Sequence, residues 1–191
     1  PRRFRVKSEI ANRLVERGRE LFRAPRANIV FTRIAEADAL LNDLVRYPHA
    51  FVLGCAMDRQ ILAERAWAIP YRVSSLLGGD FSIERLRGLS AARLARMFAA
   101  GKFHRFNAKM SQCFHGTVAH IASEYGGDAS RIWRDRPSSA AVVYRFLRLP
   151  GVGQKIATMA ANILARDFKV PLADHYSIDI SADVHVQRVF G

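Results

Sequence analysis

The sequence predicts an all-α protein, and three observations lead there. Apolar residues recur at helical spacing along most of the chain. Pro, Gly and Ser interrupt those stretches where helices stop and start. Runs able to form strands are few: Val170-Pro171-Leu172 and Ile178-Asp179-Ile180 are short, and Pro171 lacks the amide that a central strand requires. Half of the 191 residues are apolar, enough for one sizeable core or for two small lobes sharing a cleft.

The elements follow in order. Ser8 is placed to cap a helix running to about Arg23, with Ile10, Leu14 and Leu21 near helical spacing and Arg between them. Pro25 interrupts it. Ala35 to Tyr47 carries Ala39, Leu40, Leu41 and Leu44 and is stopped by Pro48. Phe51 to about Trp67 reads as one continuous, more apolar helix at the centre of the core, ending before Pro70. Tyr71 to Leu77 makes a short helix closed by Gly78-Gly79, and Ser82 and Ser90 cap Ile83–Leu89 and Ala91–Phe98. Gly101 breaks the chain before a long amphipathic helix from His104 to Tyr125. Pro137-Ser138-Ser139 opens another through Leu147, and Gln154–Arg166 is the last clear one. No internal repeat or low-complexity tract divides the chain.

Thirty basic and 17 acidic side chains give a formal charge of +13. That excess favours a polyanionic partner, because each Lys or Arg laid against a phosphate releases condensed counterions. Only five of the thirty are Lys, and Arg suits bidentate phosphate contacts. Cys55 and Cys113 fit neither a disulfide framework nor a CxxC site. The six histidines show no metal-ligand spacing, so no metal site is expected. No run approaches the ~20 apolar residues of a membrane span, and none resembles a signal peptide. The expectation is an intracellular protein, cytoplasmic and nucleoid-associated or nuclear, monomeric and without a membrane partner.

Leu149-Pro150-Gly151-Val152-Gly153-Gln154-Lys155 joins two helical stretches. Pro150 ends the first. Gly151 and Gly153 are expected to allow positive φ and to leave the backbone without side-chain cover. The amides of Gly153 and Gln154 then stand at the N-terminus of the next helix, where unpaired donors and the positive end of the dipole favour an anion. Gly151, Val152, Gly153 and Gln154 are therefore candidates for gripping a nucleic-acid backbone. A tight αα-hairpin that binds nothing remains the plain alternative.

This run closely resembles the hairpin of the endonuclease III branch of the helix-hairpin-helix DNA glycosylases, whose signature Leu-Pro-Gly-Val-Gly-x-Lys-x-Ala it matches through Lys155 and Ala157. That family also carries an Asp-x-His-(hydrophobic)-x-Arg segment, matched by Asp183-Val184-His185-Val186-Gln187-Arg188. Met57-Asp58-Arg59-Gln60 and Ala66-Trp67-Ala68-Ile69-Pro70-Tyr71 resemble its early core helix, and Phe103 to Lys109 resembles another helix start. The resemblance covers about Phe51 to the C-terminus. It implies two helical lobes flanking a DNA-binding cleft. Residues 1–48 would be N-terminal basic helices contributing to the second lobe, and 49–191 the glycosylase core.

The implied activity is excision of a damaged or modified base from double-stranded DNA. Cutting an N-glycosidic bond requires an extruded base, stabilisation of positive charge at the sugar, and a nucleophile on the anomeric carbon. The resemblance gives the nucleophile to Lys155, whose attack leaves a Schiff base and permits β-elimination at the abasic site. It gives Asp183 the task of helping to deprotonate that amine and of stabilising the cationic sugar. Asp183 can equally be a helix N-cap, and Asp179 is the competing carboxylate. His185 is expected to hydrogen-bond structurally. Gln60 would fill the gap left by the extruded nucleotide, against the plain reading of a polar residue on the exposed side of a core helix. Trp67 and Tyr71 could stack a base, although aromatics in an apolar helix usually belong to the core.

The match is incomplete. Lys155 and Asp183 lie 28 positions apart, more than the endonuclease III pattern leads one to expect, with the extra length around Phe168 to Ser181. Family members continue for several helices beyond the Asp-x-His segment, so the resemblance implies either a C-terminally truncated core or N-terminal helices that close the second lobe by themselves. Many end in a four-cysteine iron–sulfur loop. Two cysteines cannot build one, so no cofactor is expected from this chain unless a C-terminal extension supplies the rest. A monovalent cation at the hairpin carbonyls is implied by the resemblance alone. Two rival readings stay open: a monofunctional glycosylase using water activated by Asp183, and a non-catalytic hairpin module that only binds DNA.

Overall fold

A computed structural model of the chain describes residues 2–178 and 188. Among these residues it contains ten α-helices, one 3-10 turn and no strand, in agreement with the all-α expectation. No described helix is long and apolar enough to cross a membrane.

α1 (Arg2–Arg23) starts earlier than Ser8, which lies inside it. Exposed pairs Arg13–Glu9 and Arg17–Glu20, both 3.0 Å, sit one turn apart along it. Lys169 Nζ donates to the carbonyls of Leu21 and Phe22 at its C-terminus, where a cation meets the negative end of the helix.

The segment between α1 and α2 (Ala35–Asn42) is held by two polar side chains. Asp38 Oδ1 accepts the amides of Phe31 and Thr32, and Asn42 both accepts from the Ile29 amide and donates to its carbonyl. Those bonds hold Phe31 against the core, stacked on Trp67 with centroids 4.4 Å apart. The helix stops at Asn42 and not at Tyr47; Leu44 and Tyr47 then turn back onto the Asn42 and Asp43 carbonyls.

α3 (Pro48–Met57) has Pro48 at its start and all ten residues buried. It packs against helices before and after it in the chain. The single helix expected over 51–67 is two. α3 ends at Met57, and α4 (Ala63–Trp67) begins after a loop. The reason is polarity: one more turn of a helix buried on every side would carry Asp58, Arg59 and Gln60 into an apolar core. At Gly54 the close neighbour is Trp67, whose ring would stand 2.7 Å from an added Cβ.

Pro70 falls in the first turn of α5 (Ile69–Leu76), where its missing amide costs nothing. α6 (Ile83–Arg87) and α7 (Ala91–Ala100) are capped by Ser82 and Ser90 as read from sequence, their hydroxyls accepting the amides of Arg85 and Arg93. α8 (Asn107–Tyr125) ends on Gly126 in the left-handed region, φ 60°. A 3-10 turn follows at Ala129–Ile132. α9 (Ser139–Leu147) is capped by Ser138, and α10 (Gln154–Arg166) returns against it. Val170-Pro171-Leu172 forms no strand; Leu172 is instead buried as a loop residue. One contiguous apolar core runs from Leu41 to Leu172, with Phe51 touching the rings of Phe31, Trp67, Trp133, Phe146 and Phe168.

Candidate functional site

The turn between α9 and α10 is built by its own sequence. Leu149 accepts the Val152 amide at 3.1 Å, and Gly151 has φ 81°. Pro at the second and Gly at the third position of a four-residue turn is the type II pattern, in which the third residue needs positive φ. Leu149 and Val152 are buried and anchor the turn at both sides. The expectation of positive φ at Gly153 is not met: it is extended, φ −103° and ψ 179°, and open space surrounds its missing Cβ. A residue preceding a helix takes an extended conformation to cap it, and that conformation suits any side chain.

α8 provides the seat for this turn. An added Cβ on Gly151 would stand 2.7 Å from Cys113 Sγ, and one on Gly116 would stand 3.0 Å from Pro150 Cγ. Turn and helix therefore touch at atomic contact, with a glycine on each side making room. Neither Cys113 nor Gly116 stands out in the sequence. The signal available was that Cys113 and Gly116 share one face of a helix at i, i+3 spacing.

Gly153 caps α10 without any side-chain hydrogen bond. The first amides of the helix have no carbonyl one turn back, so they face outward as donors. Gln154 and Lys155 are exposed in this first turn, and Thr158 Oγ1 donates back to both of their carbonyls.

The structure brings most of the sequence-predicted residues together. A concavity of about 470 Å³ is lined by Asp58, Arg59, Gln60, Gly151, Val152, Gly153, Lys155 and Ile156. Gln154 is not among its lining residues. A second hollow of about 320 Å³ shares Arg59 and Gly151 with it and adds Lys109, Gln112, Cys113 and Pro150. Three basic side chains, Arg59, Lys109 and Lys155, thus border two adjoining hollows. Asp183, with the competing Asp179 and the neighbouring His185, lies outside the described residues.

Gln60 reaches this site by a route the sequence did not suggest. It lies on the α3–α4 loop, exposed, with φ 55°, the left-handed region that few non-glycine residues adopt. The loop is tight: the Asp58 amide donates to Cys55 O and the Arg59 amide to Met57 O. His104 fills the space behind it. Its Nδ1 accepts the Phe106 amide at 3.0 Å, which places its proton on Nε2. That nitrogen has no partner within hydrogen-bond geometry, although the Arg59 and Met57 carbonyls lie near enough to oppose, in part, the burial that lowers the ring's basicity.

Asp58, which the sequence singles out only within the Met57–Gln60 motif, is the one carboxylate among the described residues lining the concavity. Burial pushes its carboxyl above the usual carboxylate range, and the Lys155 charge pulls it partly back. Cys55, fully buried one turn earlier, is pushed well above the usual thiol range by burial and by the Asp58 charge. Such a thiol is inert. Trp67 is core, stacked on Phe31. Among the described residues no group of three or more His, Cys, Asp and Glu side chains converges on a common point. No family model, curated protein or solved structure matches this chain.

Proposed function

We propose that the protein is a DNA glycosylase with associated abasic-site lyase activity, acting on a damaged or modified base in duplex DNA. The observation that carries this reading is the convergence of Gln60, the turn Gly151–Gly153 and Lys155 on one concavity, although Gln60 and Lys155 are far apart in sequence. A plain αα-hairpin has no need of that meeting.

Each residue has a physical role in the reading. The α10 amides and the adjoining basic side chains hold phosphates, with the duplex lying between two helical lobes. Gln60, held out on a strained loop, enters the stack where the nucleotide leaves. Backbone strain of this sort costs of order 1–3 kcal/mol, which the surrounding structure must offset. Lys155 attacks the anomeric carbon, and Asp183 stabilises the cationic sugar. A monovalent cation at the hairpin belongs to the same proposal. Leu149 O, which accepts the Val152 amide, keeps a second lone pair for such an ion. An iron–sulfur cluster does not fit these residues, since Cys55 is inside the core and Cys113 packs on Gly151.

The exposure of Lys155 favours one rival, in which it contacts phosphate and water performs the hydrolysis. A single experiment separates the readings. Duplexes carrying an abasic site or a panel of lesions are mixed with the protein and treated with borohydride. A covalent adduct that disappears in Lys155→Ala is the expected result. Base release without trapping points to the water mechanism, and salt-sensitive binding with neither leaves a hairpin module that only binds.

A further inference from the structure

We propose that Asp58 is the proton-accepting partner of Lys155, the carboxyl that takes the ammonium proton before the amine attacks the sugar. The step rests on the lyase reading above and adds to it a residue which the family resemblance did not assign.

The geometry carries the inference. Asp58 and Lys155 come from different elements, the end of α3 and the first turn of α10, and line the same concavity. The loop bearing Asp58 is pinned by two backbone hydrogen bonds and backed by buried His104, so the main chain of Asp58 is fixed at the rim of the concavity, and its side chain is half-buried. Burial disfavours its charge and the Lys155 ammonium favours it, with burial the larger influence. A carboxylate made more basic in this way is a better proton acceptor than an exposed one. Among the described residues, the other titratable groups around it are Arg59 on its own loop, Cys55 on α3, His104 behind the loop and Lys109 of α8 in the adjoining hollow. Arg59 and Lys109 suit phosphates, and Cys55 is sealed in the core.

The step balances. The ammonium N–H bond breaks and its proton goes to an Asp58 oxygen. The freed lone pair on Nζ forms a bond to the anomeric carbon as the N-glycosidic bond breaks, its electron pair leaving on the base. The protonated Asp58 then returns a proton to the departing base, which restores the carboxylate. No redox partner is involved.

Two measurements test this, the first on Asp58→Asn and Lys155→Gln variants and the second on Asp58→Asn. The first is a carbon-13 carboxyl titration of the DNA-free protein, with the Asp58 signal assigned by its loss in Asp58→Asn. Its midpoint is expected above that of an ordinary aspartate and higher still in Lys155→Gln. A midpoint that Lys155→Gln leaves in place overturns the pairing. The second is the rate of borohydride trapping on an abasic duplex. Asp58→Asn is expected to slow trapping by about a hundredfold near neutral pH, with DNA affinity retained. The deficit should shrink as pH rises, because hydroxide then removes the ammonium proton. A merely structural residue would not give that pH dependence. An adduct that forms at an unchanged rate in Asp58→Asn overturns the step alone; no adduct from the wild-type protein overturns the lyase reading and the step together.

Discussion

Replacing Gly151 by Ala tests the seat of the hairpin directly. Gly151 has φ 81°, and its added methyl would lie 2.7 Å from Cys113 Sγ. An L-residue in the left-handed region costs about 1–2 kcal/mol, and pressing a methyl into an occupied space costs about 1–3 kcal/mol. The variant should therefore lose about 2–5 kcal/mol of stability, a fall in melting temperature on the order of 10 °C for a chain of this size. The two contributions can be separated. In a Cys113→Ala background the sulfur is gone and only the backbone cost remains, so Gly151→Ala should then cost about 1–2 kcal/mol. Urea denaturation of the four proteins in this cycle reads the coupling. Fluorescence anisotropy with a labelled duplex should show affinity falling at least about tenfold in Gly151→Ala, equivalent to 1.4 kcal/mol, because the shifted turn takes the α10 amides with it. The reasoning is refuted if Gly151→Ala costs the same with and without Cys113, or if it melts with the wild type.

Gly153→Ala should behave oppositely: its extended backbone and open surroundings keep the stability change within about 1 kcal/mol, while a methyl placed at the phosphate approach weakens duplex binding. Unchanged affinity would remove Gly153 from the interface. Gly54→Ala drives a methyl into Trp67 and Leu41 and should destabilise by about 1–3 kcal/mol in urea titrations, with no effect on binding beyond that of unfolding. Asp58→Asn should alter the pH dependence of folding. Burial raises the Asp58 carboxyl, so the folded protein retains a proton that the unfolded chain has released. The stability this contributes is complete below the unfolded aspartate range, near pH 3.9, and is lost as pH rises through the folded value. The variant, neutral throughout, should gain on the wild type as pH rises over that interval, and a constant difference would falsify the burial of the charge. Asp183→Asn should lower turnover far more than DNA affinity, measured by single-turnover cleavage and anisotropy; equal losses would withdraw its assigned role.

The helical class, most helix boundaries and the hairpin are legible in the residues alone. Ser82, Ser90 and Ser138 cap helices through contacts three residues away, and Pro150-Gly151 imposes its turn through its own dihedral limits. Such effects are local and can be read along a line. Where the apolar run from Phe51 breaks depends instead on long-range packing. Periodicity continues past Met57, but α3 is buried on every side, and only its neighbours make the next polar turn intolerable. The same packing decided that Asp38 and Asn42 would strap the segment before them and that Cys113 and Gly116 would seat the turn. Above all it brought Asp58 and Gln60 to Lys155. Sequence spacing says nothing of that meeting, because it depends on the angle at which α10 returns to the end of α3, and the side chains buried between the helices set that angle.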